Sequence, residues 1–298
     1  MDTFPGIVMA NFGNQVLVQG ANNLRYRCPP RNTISQLVAG DNVVIREERS
    51  QFDGDLKASI VAKLARKNEL SRPNSQKKLC PIAANIDFIL VIVACVPTPQ
   101  PELIDRYVVA SESLGITPIL VLNKSDLLKE NIQLKRSIED LFTIYEKLDY
   151  IIVKTSAKEH KTGNLKKVIK GKTSILVGQS GVGKSSLINE LLNRKATAVS
   201  PLSKGIEKGT HTTTAAQLFN MEIDGSIIDS PGIREFHLWH ISTQEVENSF
   251  KEFSPFIGKC RFRNCKHRAE PNCAIKEAVR TGIIAERRLN SFLSITEP

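Results

Sequence analysis

The sequence predicts a multidomain chain in three parts: an N-terminal OB-type β-barrel, a central α/β domain on a parallel sheet, and a mostly helical C-terminal module. Three observations predict it. Residues 6–64 hold five short apolar runs punctuated by Gly, Asn, Asp and Pro clusters. Residues 81–236 alternate strand-like and helix-like stretches, the pattern of a parallel sheet covered by helices. Residues 260–273 crowd cysteine and histidine together ahead of two helical stretches. A length of 298 residues suits two or three domains, here divided as 1–72, 73–236 and 237–298.

In the first part, 6–12, 15–18, 24–28, 41–45 and 59–64 read as strands, and five short strands in so little chain fit a small OB-type barrel. The basic stretch around Arg66, Lys67, Arg72, Lys77 and Lys78 reads as a linker or a solvated charge run. In the second part, 86–96 is nearly all apolar, as a strand buried on both faces requires. Helix at 102–114, strand at 118–122, helix at 134–148, strand at 150–153, helix at 161–170, strand at 174–177, helix at 185–192 and strand at 226–228 follow. Between the last two, 195–216 shows no periodicity, and a loop that long in a compact domain is commonly functional. The third part has a helical stretch at 243–253, the Cys/His segment, and helix over 274–295 interrupted near Gly282.

The formal charge of +10 is uneven: +5 over residues 1–80, zero over 81–255 and +5 over 256–298. A neutral middle between two basic ends predicts a core carrying two modules for a polyanion. The longest apolar run, nine residues from Phe88 to Val96, is too short to span a bilayer, and the N-terminus lacks a secretory pattern. Six cysteines without an export signal point to a reducing compartment, so a cytoplasmic protein with no membrane partner is expected.

Gly178-Gln179-Ser180-Gly181-Val182-Gly183-Lys184-Ser185 fits the phosphate-loop pattern GxxxxGK[ST], with Ser186 following it into the helix. The glycines let successive N–H groups turn inward onto phosphate oxygens, and the helix N-terminus adds partial positive charge. Lys184 reaches the β- and γ-phosphates, and the Ser185 hydroxyl ligates Mg²⁺. Asn123-Lys124-Ser125-Asp126, at the end of a predicted strand, identifies the base. The Asp126 carboxylate can accept both donors on the guanine edge, a pair that adenine lacks. Asn123 can tie this loop to the phosphate loop while the Lys124 stem lies along the base. Thr155-Ser156-Ala157-Lys158 matches the SAK element that backs guanine in GTPases. Asp229-Ser230-Pro231-Gly232 matches DxxG, with Asp229 on Mg²⁺ through water and the Gly232 amide on the γ-phosphate. In Lys208-Gly-Thr-His-Thr-Thr-Thr214 one threonine completes the Mg²⁺ shell when GTP is bound; Thr213 is expected, with Thr212 next.

The motif order is unusual. Conventional GTPases run phosphate loop, switch threonine, DxxG, NKxD, SAK; here NKxD and SAK come first. One nucleotide site has been circularly permuted, which surface termini permit. The chain leaving Gly232 then runs into the C-terminal module, so a γ-phosphate contact there could reposition residues 237–298. In that module, Cys260, Cys265, His267 and Cys273 supply three thiolates and an imidazole within a short span, a closed donor set for one structural Zn²⁺. Arg261, Arg263, Lys266 and Arg268 are interleaved with them. Cys28, Cys80 and Cys95 have no neighbouring ligands and read as core or incidental.

The permuted order, GQSGVGKSS, GTHTTT and the C-x₄-C-x-H-x₅-C segment together resemble the RsgA family, the YjeQ-type circularly permuted GTPases of bacterial small-subunit biogenesis. The resemblance covers the whole chain. It implies a GTP/GDP-binding enzyme that joins the 30S ribosomal subunit late in maturation. Both flanking modules would touch 16S rRNA, and subunit-stimulated hydrolysis would lead to release. Ras-like proteins orient water with a glutamine just after DxxG, where this chain has Ile233. The resemblance points instead to His211 as the catalytic partner of Lys184. The chain departs from the pattern at Thr210, where many relatives have Arg, and Gly181 stands where K⁺-assisted GTPases carry Asn. A monomer with no DNA partner is expected. The alternative is a nucleotide-gated RNA-binding factor in which hydrolysis is incidental. A small-molecule kinase or a DNA-binding zinc protein leaves the guanine motifs unexplained.

Overall fold

Val16 and Val18 are buried while Leu17 and Gln19 between them are not, the period-2 signature of a strand with one face on a core. The structure, a computed structural model, describes residues 3–30, 34, 36–52, 55–73, 76, 78–129, 131–193, 216–230 and 241–297. Among these, the described parts of Met1–Ile89, His160–Leu176 and Lys184–Glu235 form one compact unit. Those of Leu90–Glu159, Val177–Gly183 and Phe236–Pro298 form a second.

The first unit contains the barrel. Its strands are β1 (Thr3–Asn11), β2 (Val16–Gly20), β3 (Arg25–Cys28), β4 (Asn42–Phe52) and β5 (Asp55–Lys63). They pair in the order β1-β2-β3-β5-β4, and β4 returns to β1 to close the cylinder. Only β3 and β5 run parallel; the other pairs are antiparallel. This is the five-stranded OB arrangement expected from the sequence. Val8, Val18, Tyr26, Val43, Ile45 and Ile60 fill its interior.

The basic stretch expected to be a linker is in part a β-hairpin, β6 (Glu69–Pro73) with β7 (Leu79–Ala84). Arg66 is not a solvated charge. Its guanidinium donates to both carboxylate oxygens of buried Asp41, at 2.7 and 2.8 Å, and to the Gln36 carbonyl at 2.7 Å. A charge-assisted fork of this kind fixes the start of the hairpin against the barrel. In the same unit lie β11 (Thr173–Val177) as far as Leu176, β13 (Ser226–Asp229), α3 (Gly163–Val168) and α4 (Lys184–Leu191). β11 and β13 are parallel. A strand without a sequence signal, β12 (Gln217–Asn220), pairs antiparallel with β13, and its Gln217 also pairs with Ala10 of β1.

In the second unit, β9 (Thr117–Asn123) lies between β8 (Phe88–Ala94) and β10 (Ile151–Lys154), parallel to the latter. Helix α1 (Pro101–Ser113) starts on Pro101, whose missing N–H costs nothing at a first helical turn. Helix α2 (Ile132–Glu146) is capped by Asn131, which accepts from the Leu134 amide at 2.9 Å. A Ser242–Glu245 capping box opens α5 (Thr243–Asn248); a 3-10 turn over Lys251–Phe256, α6 (Ala274–Arg280) and α7 (Glu286–Ile295) follow. Phe250, Phe253 and Phe292 stack and cross in the module's core, which also takes Val109 and Ala110 from α1. Arg288 of α7 is fully buried there, with Tyr145 hydroxyl, Arg288 and Arg287 all donating to Asp105. Glu252 satisfies the other side of the Arg288 guanidinium.

Candidate nucleotide site and metal centre

Glycine is required in the loop between β11 and α4 for two reasons. Gly178, Gly181 and Gly183 all take positive φ, at 143°, 81° and 93°. A Cβ on Gly178 would stand 2.3 Å from the Ile92 carbonyl oxygen, and one on Gly183 would stand 2.6 Å from Asn123 Nδ2. The backbone therefore curls against β8 and against the NKSD loop at distances no side chain allows.

The NKSD loop meets the phosphate loop through two side chains. Asn123 is buried, and its Nδ2 donates to the Val182 carbonyl at 3.0 Å. Its Oδ1 accepts from Thr155 Oγ1 at 3.2 Å and from the Ala157 amide at 3.4 Å. One amide thus ties three loops together. Lys124 sits at φ 57°, and its Nζ donates to the carbonyls of Val96 at 2.9 Å and Gly181 at 2.7 Å. Its stem is drawn straight across the opening of the loop. Ser156 Oγ donates to Asp126 Oδ1 at 2.6 Å and accepts from the Glu159 amide at 3.1 Å, which aims the carboxylate. The Ser125 amide donates to the Thr155 carbonyl at 3.0 Å. Lys158 is exposed beside them.

Lys184 opens α4, with Ser185 and Ser186 exposed in its first turn. Asp229 ends β13 in the same unit. Burial pushes its carboxyl above the ordinary 3.8, and the Lys184 charge pulls the other way. A cation bound there would favour the charged form that burial disfavours. His211, Thr212, Thr213, Gly232 and Ile233 lie outside the described residues.

The Cys260, Cys265, His267 and Cys273 ligand atoms all lie within 4.8 Å of one another. His267 Nδ1 is 3.1 Å from Cys273 Sγ and 3.6 Å from Cys260 Sγ; the two sulfurs are 3.8 Å apart. A tetrahedron with bonds of 2.0–2.3 Å has edges of about 3.3–3.8 Å, so the donors fit one zinc ion. The other ring nitrogen, Nε2, stands 3.1 Å from Glu247 Oε1 on α5. That leaves Nδ1 as the metal-facing atom. Sequence spacing did not single out Glu247, because it lies twenty residues before the histidine on another element. Of the remaining cysteines, Cys28 sits in the barrel core, where burial and then Glu48 push its thiol up to about 12, and Cys95 is buried beside Lys124. Among the described residues no helix is long and apolar enough to cross a membrane.

The chain matches the family described as RsgA GTPase over residues 63–239. It is 45% identical over 296 residues to the small ribosomal subunit biogenesis GTPase RsgA of Pseudomonas fluorescens strain Pf-5, covering 97% of this chain and 84% of that protein. The crystal structure of YjeQ from Thermotoga maritima superposes with a TM-score of 0.77 at 31% identity, covering 99% of this chain and 97% of that one. YloQ, a circularly permuted GTPase, shares the fold with a TM-score of 0.76 at 24% identity, covering 100% and 97%.

Proposed function

The chain belongs to the RsgA GTPase family, and on that premise we propose that it hydrolyses GTP on the maturing 30S ribosomal subunit and leaves once hydrolysis is done. The observation that carries the nucleotide part is Asn123, which joins the NKSD loop, the SAK loop and the phosphate loop in the order a permuted site demands. The name borne by the relatives supports the subunit part.

In this reading Asp126 accepts the guanine edge, Lys124 covers the base, and Ser156, Ala157 and Lys158 back it. The amides of Gly178–Lys184 and the Lys184 ammonium hold the phosphates. Ser185, Asp229 and Thr213 hold Mg²⁺, which neutralises charge on the transferring phosphoryl group. His211 orients the attacking water and the Gly232 amide meets the γ-phosphate. Phosphoryl transfer asks chiefly for positioning and charge stabilisation, and subunit binding would set residues 205–214 against the phosphates to complete the site. The three divisions at 72 and 236 act as an RNA-binding barrel, a GTPase and a zinc module, with 16S rRNA touching both flanks. The protein works as a cytoplasmic monomer.

GTP turnover measured with added 30S, 50S and 70S particles tests this. A rise with 30S alone is expected; equal rates with all three overturn it. A second reading, nucleotide-gated binding with incidental hydrolysis, rests on Ile233 standing where Ras-like proteins place glutamine. Single-turnover hydrolysis that 30S leaves unchanged would favour it.

A further inference from the structure

Aromatic side chains in a well-packed domain go inside, and most do so here. Phe250, Phe253 and Phe292 are all buried in the C-terminal core. Phe262 is 40% exposed, and it is the one aromatic among the large hydrophobic side chains exposed in the described residues. Its position explains why it stays out. Cys260 and Cys265 pack against the core on either side of it, while Arg261, Phe262, Arg263 and Asn264 between them are all exposed. The turn is closed by the Cys265 amide donating to the Phe262 carbonyl at 3.2 Å, and pinned by the Arg261 amide donating to Asn272 at 3.2 Å. The two flanking thiols pack inward and belong to the four-donor cluster, so the ring between them stays outside.

The surroundings are cationic. Lys259, Arg261, Arg263 and Lys266 are exposed, and none makes an ion pair among the described residues. The nearby carboxylate of Glu270 accepts from the backbone amides of Lys266 and Arg268 instead of a side-chain cation. The Arg261 guanidinium lies 5.6 Å from the centre of the Phe262 ring. A ring held out on a rigid knot among uncompensated cations has the chemistry of a single-stranded nucleic-acid platform: the π-face takes a base and the cations take the flanking phosphates.

We propose that Phe262 stacks on an unpaired base of the subunit RNA, with Arg261 and Arg263 on the adjoining phosphates. This rests on the ribosomal reading above and names the RNA feature that the zinc module would recognise. Stacking and phosphate contact respond differently to salt, because only phosphate contact releases counterions.

The test is equilibrium binding of the full-length protein to purified 30S subunits over a series of salt concentrations. F262A is expected to weaken binding about 5- to 150-fold without changing the slope of log K against log salt. F262W should restore binding, since it returns a π-face. R263Q should lower the slope by about 0.7. A benzophenone side chain at position 262 should crosslink to 16S rRNA. The proposal is overturned if F262A binds like the wild type, if F262W fails to restore binding, or if the crosslink goes to a ribosomal protein. Wild-type protein that does not bind 30S at all overturns the ribosomal reading itself, a separate outcome.

Discussion

Asn123 donates to the carbonyl of Val182, 59 positions further along the chain, at 3.0 Å. The contact sits where the base loop and the phosphate loop would hold opposite ends of one nucleotide. Removing it leaves a buried carbonyl and the Ala157 amide without their partner. An orphaned buried polar group costs about 1–3 kcal/mol, so Asn123→Ala should weaken GDP binding by roughly ten- to hundredfold. Asn123→Asp should be worse, because it turns an acceptor toward the Val182 carbonyl. Titration with a fluorescent GDP analogue checks both, and full affinity in either variant would contradict the role assigned to this side chain.

Asp229 predicts a pH effect. Burial raises its carboxyl above 3.8 in the folded protein, with Lys184 opposing. The folded state therefore holds the proton more tightly than the unfolded chain does. The stability conferred by the neutral form is fully present below 3.8 and is lost as pH rises through the raised value. Asp229→Asn should stabilise the nucleotide-free protein at neutral pH and flatten its stability profile across that acid window. Urea melts at a series of pH values measure it. The same variant should lose Mg²⁺-dependent tightening of GTP binding.

Arg288 is buried between Asp105 and Glu252. Truncating one partner of a buried ion pair strands the other charge, at a cost of about 3–5 kcal/mol. Arg288→Met should show a loss of that order in urea unfolding. Pairing it with Glu252→Gln should recover part of the loss, since the stranded carboxylate is then neutral. A variant as stable as the wild type would mean that water reaches these groups.

Glu247 Oε1 stands against Nε2 of His267, which leaves Nδ1 free to face a zinc ion. Partners of this kind commonly change metal affinity 10- to 100-fold (about 1.4–2.7 kcal/mol). Glu247→Ala should release zinc faster to a chromogenic chelator, and Glu247→Gln, which can still hydrogen-bond Nε2, should fall between the two. Indistinguishable release from all three proteins would leave Glu247 with no part in holding the metal.

The phosphate loop, the NKSD loop and the Cys/His segment were legible because local sequence dictates local backbone there. The glycines at 178, 181 and 183 take conformations that other residues resist, and the four metal-type donors fall within a short span. The barrel was legible from its punctuation, strand by strand. What escaped is long-range. Asp105 is one of four charged residues on an amphipathic helix, and nothing nearby announces a partner 183 residues away. Hairpin β6–β7 is hidden because charged residues obscure its alternation; among the described side chains of β6 only Leu70 is deeply buried. Strand β12 is four residues long, too short to carry a period. His211, Thr213 and Gly232 fall outside the described residues, so the water-orienting and γ-phosphate contacts stand on sequence alone.

Strand β1 completes the barrel through β2 and β4, and at Ala10 it also pairs with Gln217 of β12. One ribbon thereby joins the barrel to β12 within one continuous sheet. Excising the barrel would strip that neighbour from β12 and uncover its outer edge at Gln217, a place where a second copy of the shortened protein could pair. The barrel therefore shields the margin of β12, and protein shortened by it should self-associate in sedimentation velocity where the full chain does not.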